Sequence, residues 1–186
     1  MKIWSMPIKG TVQVKENNWK EAWEWLKKCP KNSAELLMIT DLLANDLSSL
    51  EQPHAKIITP KAPLKVPGLL HQYSLVSANC SYNVSLGKII KGLFPGGSVT
   101  GAPKKRSMEI ISKLEKRNRI HYCGSTILIH DQILAASINI RSAIINPLSH
   151  QLLYQAGGGI TLKSQLNSEY HEMIFKVKSF GRAKTL

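Results

Sequence analysis

A chain of 186 residues, 43% hydrophobic and 20% charged, has room for one domain with a real core and excludes a disordered or low-complexity polypeptide. The excess of 25 lysines and arginines over 12 acids favours anionic partners, but the basic residues fall in short groups (Lys27-Lys28, Lys104-Lys105-Arg106, Lys116-Arg117) without aromatic interleaving or zinc-finger spacing, so nothing points to nucleic acid. No apolar run approaches the ~20 residues of a membrane span, the first nine residues carry no secretory signal, and Cys29, Cys80 and Cys123 form neither a CxxC pair nor an even set, so a cytoplasmic protein with reduced thiols is expected.

Trp19, Ala22, Trp23 and Leu26 recur at helical spacing and predict an amphipathic helix over 16–28, with Pro30 just past its end. A second helix is expected over 33–47 with Glu35, Met38, Ile39 and Leu42 on one face, where the glutamate is the odd member. Four prolines in 51–68 predict an irregular loop with at most a short strand at Ile57-Ile58. A strand over 69–79, a short helix over 85–93, a glycine-rich turn over 94–103 and a helix to about 117 follow, the last with proline near its first turn. Consecutive antiparallel strands over 122–129, 133–144 and 152–156 and a closing helix over 168–180 complete the chain. Strands in runs with flanking helices predict an α+β fold built on an antiparallel sheet.

Four segments carry groups that could do chemistry. The glycine-rich turn holds Ser98 and Thr100 before a helix N-terminus, parts suited to an anionic group, yet Ala102 and Pro103 stand where a P-loop needs lysine and a hydroxyl residue. On the closing helix Glu169, Glu172 and Lys176 stack on one face; two carboxylates so spaced can hold Mg²⁺ or form a solvated salt-bridge face. A strand reading of 133–144 puts Ser137, Asn139 and Arg141 on one side, the arginine able to fork onto a carboxylate or to pair with a structural acid. Gly157, Gly158 and Gly159 would let a ligand approach the backbone.

In this order the segments LFPGGSVTGAPKKRSMEIISKLE (93–115), YCGS (122–125), INIRS (138–142), AGGGI (156–160) and SEYHEMIFK (168–176), preceded by AELLMITDLLANDL (34–47), resemble the signature blocks of the chorismate-binding enzymes, the family of anthranilate and aminodeoxychorismate synthases. The resemblance makes 1–186 part of a chorismate-binding domain, its C-terminal part, with the family's N-terminal half lacking a counterpart. Pro7-Ile8-Lys9-Gly10-Thr11 resembles the aminodeoxychorismate branch, which carries lysine where anthranilate synthases usually have alanine. That resemblance implies a product, 4-amino-4-deoxychorismate, leading to para-aminobenzoate and folate. Lys9 would attack C2 of chorismate and expel the C4 hydroxyl, and ammonia from a glutamine amidotransferase partner would then displace the enzyme. It further implies Mg²⁺ held by Glu35, Glu169 and Glu172, substrate carboxylates held by Tyr122, Arg141, the backbone of Gly157, Gly158 and Gly159, and Lys176, and a ring lined by Ser98 and Thr100.

The sequence departs from the family pattern at Ser74, where an active-site histidine is expected, and His71 lies on the opposite face of a period-two strand. Asn32 stands for an acid, Ala44 for an arginine, Lys163 for an acidic residue, and Thr126-Ile127 for Ile-Gly. Three readings therefore stay open: an enzyme subunit completed by a separate N-terminal half, a silent fragment that still binds chorismate, and an anthranilate synthase component I-like protein.

Overall fold

The computed structural model describes residues 1–14, 18–50, 54–162 and 164–182, so Glu16, Pro53 and Lys163 of the sequence reading lie outside the described residues. The chain divides into two compact units, Met1–Gly97 and Ser98–Leu186.

The first unit is organised by one strand, β4 (Leu69–Asn79), in which residues alternate so that Leu70, Gln72, Ser74, Val76 and Ala78 are buried while His71, Tyr73 and Leu75 are half-buried on the other face. Along one edge it pairs antiparallel with β1 (Lys2–Ser5) and β2 (Ile8–Gln13), which lie end to end, and along the other with β3 (Lys56–Val66). The helices α1 (Trp19–Lys28) and α2 (Pro30–Ser48) intervene between β2 and β3, and α3 (Leu86–Leu93) follows β4 behind a Ser85 side-chain cap. Pro30 begins the second helix at a position where its missing N–H costs nothing.

The face of α2 that meets the sheet is not the one containing Glu35. Leu36, Thr40 and Leu47 are buried, whereas Met38 is 49% exposed, so the inward stripe is rotated by one residue from the expected face. Leu47, Leu50, Val76, Ala78 and Cys80 form the core, flanked by Ile3, Ala44, Val84, Ile89 and Leu93.

The expected loop over 51–68 is instead the eleven-residue strand β3 from residue 56 onward. Proline is tolerated because, among the described residues, β3 pairs only with β4, leaving an edge where no donor is required, and because the register shifts on either side of Thr59.

In the second unit the glycine-rich segment contains a one-turn helix, α4 (Gly97–Thr100), which begins at the unit boundary and precedes α5 (Lys104–Glu115). Two separate antiparallel hairpins follow, β5 (Ser125–His130) with β6 (Ile133–Ile138) and β7 (Ala143–Asn146) with β8 (Gln151–Tyr154), and then α6 (Leu166–Arg182). A stacked Tyr154–Phe180 pair, ring centroids 4.1 Å apart, joins β8 to α6.

The expected strand 133–144 is therefore two strands, broken at Asn139. That residue is drawn into the turn before β5: its carbonyl accepts from Cys123 N and its N–H donates to Gly124 O, both at 2.9 Å, while Oδ1 accepts from Thr126 Oγ1 at 2.8 Å. Residues 122–124 are turn for the same reason. Arg141 follows with φ +53°, so the alternation that placed Ser137, Asn139 and Arg141 on one strand face does not extend past Ile138. All three cysteines are free, and among the described residues no helix is long and apolar enough to cross a membrane.

Candidate functional site

In the first unit the environment of Lys9 is made by an irregularity in β2. The register with β4 shifts between Ile8 and Thr11, and Gly10 has φ +90°. A Cβ at Gly10 would lie 2.9 Å from Gln72 Nε2 and 3.2 Å from the Asn32 Cβ, so both backbone conformation and space require glycine there. Gln72 Nε2 in turn donates to Asn32 O at 2.8 Å, fixing the start of α2 against the sheet. The bulge brings Lys9 Nζ to 3.2 Å from Glu35 Oε2, with the lysine side chain 44% exposed and the glutamate 21%.

Ser74 lies on the helix-facing side of β4 and is fully buried. Its Oγ donates to Pro60 O at 2.6 Å and lies 2.8 Å from Thr40 Oγ1, which is itself 2.7 Å from Leu36 O. Each hydroxyl has one proton, and all of these partners belong to structural backbone or to each other. Serine here joins α2, β3 and β4. His71 faces the other way, with Nδ1 2.7 Å from Thr11 Oγ1.

The second unit gathers Tyr122, the glycine run and the first turns of α6. Gly157 and Tyr122 approach closely: a Cβ at 157 would meet Tyr122 Oη at 2.7 Å, so a larger residue there would displace the phenol. Lys176 Nζ donates to Gly157 O at 3.0 Å and pairs with Glu172 Oε1 at 2.8 Å. Glu169 accepts from Ser164 Oγ at 2.7 Å through Oε1, while its Oε2 borders Gly158. Thus Tyr122, Gly157, Gly158, Glu169, Glu172 and Lys176 are neighbours. Gly159 has open space around its Cα. Arg141 is exposed, past the end of β6, and Ser98 and Thr100 sit on α4.

Burial, with the adjacent Cys123 as a secondary cause, pushes the Tyr122 phenol up to about 12, and burial also raises the Cys123 thiol. The residue that sequence reading missed is Arg119. Its Nε and Nη2 donate to the two oxygens of Glu115 at 2.9 and 2.6 Å, Nη1 donates to Val99 O at 2.8 Å, and the guanidinium lies 6.0 Å from the Tyr122 ring centroid. Arg119 therefore ties the Ser98–Thr100 turn to the segment carrying Tyr122, and the Glu115 contact holds its charge firmly. The available signal was the i,i+4 spacing of Glu115 and Arg119 across a helix end.

Glu35 belongs to the first unit and Glu169 and Glu172 to the second. Among the described residues no three His, Cys, Asp or Glu side chains are grouped closely enough to hold a metal by themselves. The Glu169–Glu172 pair does offer hard oxygen donors one turn apart, a set that suits a cation retaining much of its water.

The first unit thus carries a lysine beside a helix-borne glutamate on an antiparallel sheet, and the second a glycine run facing acidic residues on a closing helix. The family model for chorismate binding enzymes matches residues 1–182, and the chain belongs to that family. It is 34% identical over 184 residues to aminodeoxychorismate synthase component 1 of Escherichia coli K12, a match covering 94% of this chain and 39% of that relative. Among solved structures, anthranilate synthase component I from Streptococcus pneumoniae superposes with a TM-score of 0.76 at 25% identity, covering 96% of this chain and 40% of that one. The menaquinone-specific isochorismate synthase of Escherichia coli shares the fold, with a TM-score of 0.78 at 19% identity over 96% of this chain and 41% of that one. The chain thus spans about two-fifths of the length of these proteins.

Proposed function

We propose that this chain is the C-terminal part of an aminodeoxychorismate synthase component 1-like enzyme, acting on chorismate and ammonia once the remainder of the fold and a glutamine amidotransferase partner are supplied. The observation that carries the reading is the Lys9–Glu35 pair at 3.2 Å, held by a bulge whose Gly10 admits no side chain. Attack of Lys9 Nζ on C2 of chorismate requires a deprotonated amine, and Glu35 Oε2, 3.2 Å away, orients that nitrogen. The C4 hydroxyl leaves as water, taking up the proton released by the attacking amine; ammonia then adds at C4 and gives a proton back to the lysine nitrogen as the C2–N bond breaks, returning the lysine unchanged.

In this reading Lys176 and the exposed guanidinium of Arg141 meet the substrate carboxylates. Tyr122, kept protonated by burial, donates from a phenol fixed against Gly157. The backbone of Gly157, Gly158 and Gly159 admits the substrate closely, and Ser98 and Thr100 line its ring. Glu35, Glu169 and Glu172 are the proposed Mg²⁺ ligands. When bound, the ion supplies charge neutralisation at a substrate carboxylate.

Calorimetry with chorismate tests the reading: binding is expected with Mg²⁺ and at least about tenfold weaker without it, a difference of roughly 1.4 kcal/mol. Equal affinity in both conditions removes the metal role from the three glutamates. Lys9→Ala should abolish any mass-spectrometric adduct formed on complementation, and an unchanged adduct yield refutes the nucleophile.

A second reading, a chorismate-binding chain without turnover, is favoured by one observation. The Ser74 hydroxyl is fully buried and spent on Thr40 and Pro60, so it offers no group for proton transfer. The two readings part on whether the complemented protein releases product.

A further inference from the structure

The helix-facing side of β4 is not uniformly apolar. Between Leu70 and Val76 it carries Gln72 and Ser74, both fully buried. Opposite them α2 presents Asn32, Leu36 and Thr40, spaced by four residues and so aligned along one stripe. A short polar seam joins the two elements. Gln72 Nε2 donates to Asn32 O at 2.8 Å, and Thr40 Oγ1 lies 2.7 Å from Leu36 O and 2.8 Å from Ser74 Oγ.

Apolar burial has no direction, and Leu36, Leu37 and Met38 are alike in hydrophobicity, so it does not by itself fix the rotation of α2 about its axis. Hydrogen bonds are directional. Glu35 precedes Leu36 by one residue, about 100° around the helix, so the bonds that fix this rotation also fix where the Glu35 carboxylate stands. Gln72 meets the carriers of both partners of the Lys9–Glu35 pair. Its amide nitrogen bonds the first turn of α2 three residues before Glu35, and it packs against Gly10, the residue after Lys9, where a Cβ would come within 2.9 Å of Nε2.

Packing alone does not account for a carboxamide at this place. Gln72 Oε1 is buried and has no hydrogen-bond partner among the described residues. An enclosed acceptor left unpaired lowers stability. Asn32 O lies inside α2, where the helix ladder supplies it a donor four residues on, so it does not require the amide. An unbranched apolar side chain of similar volume would fill the slot without the unpaired oxygen. What the carboxamide contributes is direction.

We infer that Gln72 is a positioning residue, whose amide sets the rotation of α2 and thereby holds Glu35 Oε2 at 3.2 Å from Lys9 Nζ. Being fully enclosed, it acts through the pair and not on substrate. Its meaning for catalysis rests on the proposed function; its effect on the pair does not.

The test uses the full chain and a carbodiimide, which joins a carboxylate to an amine in contact with it as an amide, with loss of water. The Lys9–Glu35 amide is measured by mass spectrometry, and the Glu24–Lys27 pair of α1, 2.7 Å apart, is the internal standard. Gln72→Met should lower the Lys9–Glu35 yield at least about fivefold relative to the standard, because intramolecular reaction falls steeply with misplacement. The urea midpoint should stay unchanged or rise, since the unpaired oxygen is gone. Gln72→Asn keeps a carboxamide but is one methylene too short to reach Asn32 O, and it should lower the yield likewise. Glu35→Gln should abolish the product and so confirms its identity.

The assignment is overturned by a folded Gln72 variant that cross-links at the parent yield, by a parent that forms no Lys9–Glu35 amide, or by a loss of yield that comes only with a lower urea midpoint. Failure of both variants to fold makes Gln72 a structural residue and overturns it as well. Chorismate calorimetry on the parent separates the positioning role from the proposed function. A yield that responds to residue 72 in a chain that binds no chorismate leaves the positioning role standing and refutes the function; chorismate binding with a yield indifferent to residue 72 does the reverse.

Discussion

Replacing Ser74 by histidine introduces the side chain that the sequence resemblance leads one to expect at this position, and the surroundings of Ser74 set its cost. Ser74 is fully buried, and its Oγ is bonded at 2.6 Å to Pro60 O and sits 2.8 Å from Thr40 Oγ1. Losing the hydroxyl removes two contacts, each worth about 0.5–1.5 kcal/mol net, of which a ring nitrogen can recover one. Forcing an imidazole into a closed slot adds about 1–3 kcal/mol of overpacking. Ser74→His is therefore expected to destabilise the first unit by about 2–4 kcal/mol, a large share of the ~5–15 kcal/mol typical of a domain. Urea titration followed by tryptophan fluorescence measures this. A companion Thr40→Ala substitution vacates space beside residue 74, and the double variant should be more stable than the sum of the single changes predicts by about 1 kcal/mol or more. If Ser74→His alone unfolds within about 0.5 kcal/mol of the parent, the slot is not closed and the argument that serine is a structural residue here fails. If the double variant, complemented with the remaining portion, turns chorismate over about 10²-fold faster than the complemented parent, the missing histidine was the limiting defect.

Other expectations are local to the second unit. Arg119→Ala should lower its stability by about 1–2 kcal/mol in circular dichroism melts, and Arg119→Lys should recover less than half, because one ammonium cannot serve both Glu115 oxygens and Val99 O; full rescue by lysine refutes the bidentate reading. Ile120 is a β-branched residue at φ +56° with 75% exposure, so Ile120→Gly should stabilise by about 0.5–1 kcal/mol, and a loss of stability refutes the strain. The Tyr122 phenol is raised from 10.0 to about 12, so its contribution is complete below pH 10 and is lost as pH rises toward 12. Tyr122→Phe should flatten the fall in the urea midpoint across that window, and an unaltered fall refutes the assignment.

Much of the fold was legible because it is local. The alternation in β4 and the 3.6-residue recurrence in α1 can be read from neighbours in the chain, and both agree with the structure. What escaped depends on distant partners. Prolines argue against a strand unless the strand is an edge, and β3 is an edge only because β4 offers that side. The period-two pattern through Arg141 ended at Asn139 because Cys123 and Gly124 claim its backbone. Lys9 could be singled out by its motif, but its approach to Glu35 needed a bulge set by Gln72 and Asn32, each remote in sequence. The rotation of the buried stripe of α2 was likewise invisible, since Leu36 and Met38 are equally apolar and only the sheet distinguishes them.

The division into two units also decides what light will report. All four tryptophans, Trp4, Trp19, Trp23 and Trp25, fall within the first 97 residues, and two of them carry a lysine over the ring, Lys2 at 4.1 Å and Lys65 at 3.1 Å. Indole emission therefore reports the surroundings of first-unit residues, while the Tyr154–Phe180 stack and the hairpins carry no tryptophan of their own. A sigmoidal emission curve would look two-state even if the second unit had already melted, so coincidence with an amide-based probe is the condition for quoting one unfolding free energy for this chain.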